Sequence, residues 1–437
     1  MNLNYETTGI NFNSKGKVDE IATPQSIADD MVTLFDYTDC NRKIWFDMYC
    51  KTGNFLSSLK KQGVDKNNIA AICQTLQSQM LVCRKLYGKI LPEVEVEINI
   101  KSLESCKVTR RGQVYYISNW KEKVKNNHQE AYNIIKFVVM KEMEKTMSLE
   151  WTTEENFKIN NIIMNPPYNP SDLYIDFVEL AHKIASDAVV AITPAKCQSK
   201  DTDKDKMFRN SIMECFKNVV YYPDTGDVFN VRLQGGVMYF LCTNHKNECA
   251  SVKNISSRVK YFNSESSIKL RENKYCLYSN KSVRSILNKV LHKNNFESFG
   301  VPKAIDCKQY AVESALGASD CSGSSSFFMF SADGKILMTT PAMIVKQAIN
   351  TISDNAIFSS DNANECESFI SYIDTKFVRF LILLRYARNS VNNNFSWEFV
   401  PKETKFDHIL TDDELYKKYN LTAEEINIIE SVIKERK

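Results

Sequence analysis

Residues 159–184 read INNIIMNPPYNPSDLYIDFVELAHKI, and their pattern decides the fold. Ile159 to Met164 form an apolar run of strand length, halted by Asn165-Pro166-Pro167-Tyr168. Leu173, Phe177, Leu180, Ala181 and Ile184 then recur at helical spacing, so the stretch predicts strand, tight corner, amphipathic helix. The same alternation holds upstream. Thr23 and Pro24 predict an N-cap and first turn ahead of Ile27, Met31, Leu34 and Phe35, which share one helical face. Ile44-Trp45-Phe46 predicts a strand ending at Asp47, followed by the loop Lys51-Thr52-Gly53-Asn54 and a second helix from Phe55. Ile69–Ile72 predicts another strand, with a helix after it through Leu76, Met80 and Cys83. Val189–Ile192, Val219–Tyr222 and Val237–Cys242 predict three more strands. Strands alternating with helices from 21 to about 243 predict an α/β fold, its mostly parallel sheet covered by helices on both faces.

The flanking regions differ. Residues 1–20 are polar and aperiodic and predict a mobile arm. Between 90 and 150 the pattern loosens into an insertion with no evident chemical role. There Val94, Val96 and Ile98 alternate with Glu95 and Glu97, and Val114–Ile117 is the expected hairpin partner. From Lys246 to Lys308, thirteen Lys/Arg against five Asp/Glu give a formal +8, suited to phosphate contact. Arg271, Arg284, Arg385 and Arg388 are candidate base readers. Gly317–Ser326 (GASDCSGSSS) is a loop, and the apolar segment 375–388 predicts a packing helix with Arg379, Arg385 and Arg388 at its rim. Thr411-x-x-Glu414 and Thr422-x-x-Glu425 are capping boxes that start two terminal helices.

Composition narrows the function classes. The 437 residues are 43% apolar, enough for two or three cores, and their net charge of +3 neither demands nor excludes a polyanionic partner. No apolar run reaches the length of a membrane span and the N-terminus has no signal-like apolar core, so a cytoplasmic protein without membrane partners is expected. Thirteen cysteines include no Cys-x-x-Cys pair, and His128, His182, His245, His292 and His408 are isolated. Only His245 and Cys249 approach ligand spacing, so no metal is expected. Pro223-Asp224 has no following Glu-x-Lys, so no nuclease centre is expected in this chain.

The tetrapeptide Asn165-Pro166-Pro167-Tyr168 carries the chemistry. Consecutive prolines fix φ and donate no N–H, leaving a rigid corner of carbonyl acceptors. The Asn165 amide oxygen and the Pro166 carbonyl can converge on one amino group bearing two hydrogens. The exocyclic amine of a purine is a poor nucleophile because its lone pair is delocalised into the ring. Two acceptors favour a more tetrahedral nitrogen, and being preset they cost no reorganisation. Tyr168 offers a flat face to a base swung out of its helix. Ligands of open α/β sheets bind at the carboxyl ends of strands, where this corner falls.

On these residues the chain resembles the gamma-class N6-adenine DNA methyltransferases of restriction–modification systems. Ala22-Thr23-Pro24 resembles their first cofactor motif, and Phe46-Asp47-Met48-Tyr49-Cys50-Lys51-Thr52-Gly53-Asn54-Phe55-Leu56 resembles their cofactor loop. Ile163–Tyr168 resembles their catalytic motif. Tyr222-Pro223-Asp224, Asp227-Val228-Phe229 and Gly235-Gly236-Val237 resemble the block before their last strands. Phe399-Val400-Pro401 and Thr411–Leu415 resemble the tail of large restriction–modification methylases.

The resemblance implies a Rossmann-like, seven-stranded methyltransferase sheet over 21–245, interrupted by the 90–150 insertion, and a C-terminal α+β target-recognition domain over 246–437. It implies S-adenosyl-L-methionine held by Thr23, Pro24, Asp47, Tyr49, Lys51, Gly53, Asn54, Phe55 and Asn165, with Gly53 admitting close backbone approach. Asn165, Pro166, Pro167 and Tyr168 are the implied catalytic residues, with Tyr168 and Phe229 stacking on opposite faces of a flipped adenine. Double-stranded DNA is the implied partner, alongside a separate restriction endonuclease or helicase subunit, in a prokaryotic or phage-encoded protein. The chain departs from the family pattern in having Met48 and Lys51 within the loop, and Cys73-Gln74 where an acid usually meets the ribose. Glu150, Glu154 and Glu155 are the candidates for an acidic motif before the catalytic strand. These departures predict weak cofactor binding. Two other readings stay open: the same chemistry on RNA or a protein glutamine, and a catalytically weak or inactive DNA-recognition subunit.

Overall fold

The computed structural model describes residues 10–12, 18–73, 76–87, 94–98, 105–110, 113–118, 137–139, 159–168, 173–198, 202–229, 236–257, 260, 263–270, 280–293, 295–299, 305–314, 328–330, 335–338, 342–346, 351–353, 356–385, 397–403 and 405–435. Gln74, Glu150, Glu154, Glu155, Gly235, Arg271, Arg388 and the loop 317–326, singled out above, lie outside them.

The chain begins with an antiparallel pair, β1 (Ile10–Phe12) and β2 (Val18–Ile21), instead of a wholly mobile arm. Strands this short carry too few alternations to register as a periodic signal. Helix α1 (Gln25–Val32) follows, then β3 (Trp45–Cys50), α2 (Asn54–Lys61), β4 (Ile69–Cys73) and α3 (Leu76–Tyr87). The looser region holds β5 (Val94–Ile98), β6 (Ser105–Arg110), β7 (Gln113–Ser118) and β8 (Phe137–Val139). In its small antiparallel sheet β6 lies between β5 and β7, so Val94–Ile98 does not pair with 114–117 as expected. The intervening strand Ser105–Arg110 is polar and shows no apolar alternation that would reveal it.

Past this region come β9 (Ile159–Met164), α4 (Leu173–Ile184), β10 (Ala185–Pro194), α5 (Asp203–Ser211), β11 (Phe216–Tyr222), β12 (Val237–Thr243), β13 (Ala250–Asn254) and β14 (Ser264–Ile268). The main sheet has the order β14-β13-β11-β12-β10-β9-β3-β4-β8. It is α/β and mostly parallel, but nine strands wide where seven were expected. β8 from the looser region adds to one edge, and β13 and β14 extend the other beyond residue 245. Strands β8, β4, β3, β9 and β10 run parallel, while β12 is antiparallel to both its neighbours. From β3 the chain builds outward through β4, and from β9 it builds the other way through β10. The β3/β9 boundary is therefore a topological switch point, the position beyond whose carboxyl strand ends open α/β sheets bind their ligands.

Alternation along each strand feeds two apolar layers. Phe46, Met164, Val189, Ala191 and Phe240 pack with Tyr174, Phe177, Val178 and Ala181 of α4. Trp45, Ile163, Val190, Ile192 and Tyr239 pack on the other face with Ile27 and Met31 of α1 and Phe55 and Leu59 of α2. Each fully buried Ile, Leu, Val or Phe contributes on the order of 1.5–3 kcal/mol, so this two-sided burial fixes the register of the central strands. Gly236 permits the turn into β12: its φ is +78°, and a Cβ there would lie 2.5 Å from the Tyr222 carbonyl oxygen.

The α4-side layer continues without a break into the C-terminal region. That region combines short antiparallel strands with helices α6 (Lys281–Leu291), α7 (Ala363–Asp374), α8 (Lys376–Arg385), α9 (Asp412–Lys418) and α10 (Ala423–Val432). Both expected capping boxes form, at Thr411/Glu414 and Thr422/Glu425. Arg379 is not at the rim of its helix but 2% exposed, donating to the carbonyls of Thr375 (3.3 Å) and Lys434 (2.9 Å). Among the described residues no helix is long and apolar enough to cross a membrane.

Candidate active site

Parallel pairing of β3 with β9 brings two distant sequence motifs together. Trp45, Phe46 and Asp47 lie opposite Asn161, Ile162 and Ile163, so the loop after β3 and the Asn165 corner emerge side by side at the switch point. A third segment, Ile21 to Thr23, crosses beneath both and joins them.

Asn165 is 2% exposed. Its Nδ2 donates to the Ile21 carbonyl at 3.0 Å and to the Thr23 hydroxyl at 3.1 Å. A carbonyl only accepts, so the amide's NH2 must face Ile21 and its oxygen must face away. That oxygen, Oδ1, is buried and has no hydrogen-bond partner among the described residues. An unpaired buried acceptor costs about 1–3 kcal/mol, which an incoming N–H donor would recover. Pro166 beside it is buried, and Pro167 and Tyr168 are partly exposed.

Tyr168 is fixed at both ends. Its hydroxyl donates to the Ile192 carbonyl at 3.3 Å, and its ring meets Tyr174 edge-on with centroids 6.4 Å apart. Burial raises the hydroxyl's pKa, so it remains a donor and the ring plane is held. Phe229, expected on the opposite face of the base, is 2% exposed and packs into the α1-side layer with Val228, Tyr222 and Val237. A Val-Phe pair ahead of a strand serves the core here.

The β3 loop is tied to the same hub. Lys51 Nζ donates to the Ile21 carbonyl at 2.9 Å, and Asn54 Nδ2 donates to the Thr23 carbonyl at 2.7 Å. Asn54 Oδ1 accepts from Lys85 Nζ of α3. Lys51 also sits over the Tyr49 ring, 5.3 Å from its centroid, and Tyr49 meets Phe177 edge-on at 5.5 Å. Phe55 is a buried core residue of α2. Asp47, 1% exposed, accepts from the Tyr49 N–H at 3.1 Å and so shapes the turn that begins the loop. Burial pushes its carboxyl up to about 7, opposed by the Tyr49 N–H, the Cys50 thiol and Lys51. Gly53 has φ +71°, and a Cβ on it would lie 2.9 Å from Val82 Cγ2. Within the protein itself, the close approach that needs this glycine is therefore to α3.

Thr23 is not the N-cap that its sequence position predicts. Helix α1 begins at Gln25 with Pro24 as its cap residue, and no side chain caps it. The Thr23 hydroxyl serves Asn165 instead. Sequence reasoning missed the hub itself, because the Ile21 contribution is a backbone carbonyl and no residue type encodes it. It also missed Gln25, whose Nε2 donates to Ser58 Oγ at 2.7 Å and Asp29 Oδ1 at 2.9 Å, fastening α1 to α2 below the loop. The side chain of Cys73 and all of Gln74, where a ribose-binding group was sought, lie outside the described residues. Asp224 accepts from the Gly226 N–H at 2.9 Å, the role of a turn residue.

No family model matches the sequence, and no curated protein does. Solved structures with a similar fold include the methyltransferase subunit of a type I restriction-modification system from Streptococcus thermophilus. It is 13% identical, with 60% of this chain and 54% of that one covered and a TM-score of 0.37. The M protein of the type I restriction enzyme EcoKI is 9% identical, with 55% and 49% covered and a TM-score of 0.33. A Listeria monocytogenes protein assigned to the class I S-adenosylmethionine-dependent methyltransferases is 13% identical, with 56% and 70% covered and a TM-score of 0.33. The matched part spans about half the length of the first two structures.

Proposed function

We propose that this chain is an S-adenosyl-L-methionine-dependent DNA methyltransferase that modifies N6 of an adenine flipped out of duplex DNA. One observation carries the reading: the buried Oδ1 of Asn165, without a partner among the described residues and with its amide held in orientation by Ile21 and Thr23, beside a diproline corner at the switch point. An amine with two hydrogens is the donor such an arrangement lacks. In this reading Asn165 Oδ1 and the Pro166 carbonyl each accept one N–H, and Pro167 keeps the corner rigid. Tyr168, locked by Ile192 and Tyr174, takes one face of the base. The Asn165 proton donors are already engaged, so only its acceptor side is free to act.

In this reading the cofactor is held at the same switch point by Thr23, Pro24, Tyr49, Lys51, Gly53, Asn54 and Phe55, and Asp47 acts through the turn it holds. When bound, S-adenosyl-L-methionine supplies an electrophilic methyl group. Residues 21–245 form the transfer unit in this reading and residues 246–437 contribute target recognition, in a cytoplasmic bacterial or phage protein working with a separate endonuclease or helicase subunit.

The test is transfer of a tritiated methyl group to duplex DNA, RNA and protein offered in parallel, with nucleoside analysis of the product. Label recovered as N6-methyladenosine's deoxy form from DNA supports the reading. Label only in RNA or protein, or none at millimolar cofactor, contradicts it.

A further inference from the structure

Away from the Asn165 corner, three metal-ligating side chains converge from separate elements. His182 lies in the last turn of α4, Cys215 in the short 3-10 turn before β11, and Cys242 near the end of β12. Cys242 pairs with Val189 near the start of β10, whereas Tyr168 is tied to Ile192 further along that strand. Three strand residues separate these levels by about 10 Å, so the triad is not part of that corner.

The His182 Nδ1 atom lies 3.4 Å from Cys242 Sγ. The ligand atoms of all three residues lie within 4.8 Å of one another. In tetrahedral zinc coordination, with Zn–S about 2.3 Å and Zn–N about 2.0 Å, neighbouring ligand atoms stand about 3.5–3.8 Å apart. The histidine–cysteine edge already has that length, and the others need to close by no more than about 1 Å. The thiols contact backbone carbonyls, Cys242 Sγ those of Ile212 at 3.9 Å and Thr243 at 3.7 Å and Cys215 Sγ that of Ser211 at 3.9 Å, and they hydrogen-bond to each other. Each of these is a weak bond that a metal–thiolate bond would replace. Both thiols are buried and the imidazole is partly exposed, so solvent reaches the triad from the His182 side.

We propose that His182, Cys215 and Cys242 bind one zinc ion, with the fourth position taken by water. Both thiols release their protons to solvent on binding, and no electron is transferred. Because β10, β12 and β11 are adjacent in the sheet, the ion pins the α4–β10 corner to the start of β11 and the end of β12.

The full chain, reduced and stripped with chelator, is titrated with Co²⁺ and then with Zn²⁺. The expected result is one Co²⁺ per chain with thiolate-to-cobalt charge-transfer bands and the intense visible bands of tetrahedral geometry, displaced by Zn²⁺, which also raises the thermal midpoint. His182→Ala keeps both buried thiols and is expected to lower Zn²⁺ affinity by at least about tenfold, while His182→Cys retains binding. The double variant Cys215→Ser/Cys242→Ser is expected to lose the charge-transfer bands. A weak octahedral spectrum, His182→Ala binding as tightly as the parent, bands that persist in the double variant, or a Cys215–Cys242 disulfide in protein isolated under reductant would each overturn the proposal.

Discussion

Asn165 shows how one side chain can be fixed by what surrounds only half of it. Two acceptors hold its nitrogen and leave its oxygen without a partner among the described residues, and both come from Ile21–Thr23, far away in sequence. Gly53 is constrained more bluntly. Gly53→Ala must strain a left-handed backbone and press a methyl on Val82, with an expected loss of about 1–3 kcal/mol in urea unfolding. Val82→Ala in the same chain should recover the steric part but not the backbone part. Asp47 predicts a pH effect of definite sign. Its folded pKa, about 7, lies above the ordinary 3.8, so its contribution is complete below pH ~4 and is lost as pH rises through 7. The parent's unfolding midpoint should therefore fall between about pH 4 and 7, and Asp47→Asn should flatten that fall. At this scale the sequence placed the Asn165-Pro166-Pro167-Tyr168 corner at the end of a strand, because an apolar run halted by two prolines is a local signal. The burial of Phe229 and the engagement of the Thr23 hydroxyl by Asn165, in place of a helix cap, were not legible, because burial and hydrogen-bond direction depend on partners far along the chain.

The elements form where apolar spacing and terminal signals agree. Thr422 and Glu425 close the N-terminus of α10 reciprocally, and Glu425 also holds Lys289 of α6 at 2.6 Å. Thr422→Ala should cost about 0.5–2 kcal/mol by thermal or urea unfolding, with α10 the first segment to lose hydrogen-exchange protection. These caps were readable because a capping box is a local code. The strands β1, β6 and β8 were not, since β1 and β8 are only three residues long and β6 is polar without apolar alternation. Helix α8 was readable as an apolar segment, yet the burial of Arg379 was not. A guanidinium can enter a core when carbonyls such as Thr375 and Lys434 receive it, and those partners are set by tertiary packing.

Across the whole molecule, the sheet order sets the site. The reversal between β3 and β9 brings the loop after Asp47 against the Asn165 corner, which strand and helix alternation predicted in kind but not in width. The basic window 246–308 is only partly available to a polyanion. Lys246 pairs with Glu214, and Lys289 pairs with the buried Glu425. Lys289→Ala is therefore expected to destabilise the fold and leave the salt dependence of DNA binding nearly unchanged, as a charge without phosphate contact must. In the proposed function Asn165 Oδ1 receives the target amine. The most direct measurement compares Asn165→Ala with the parent in methyl transfer to duplex DNA and in DNA affinity. Transfer should vanish while affinity stays within a few-fold. Transfer that survives in Asn165→Ala would contradict the account.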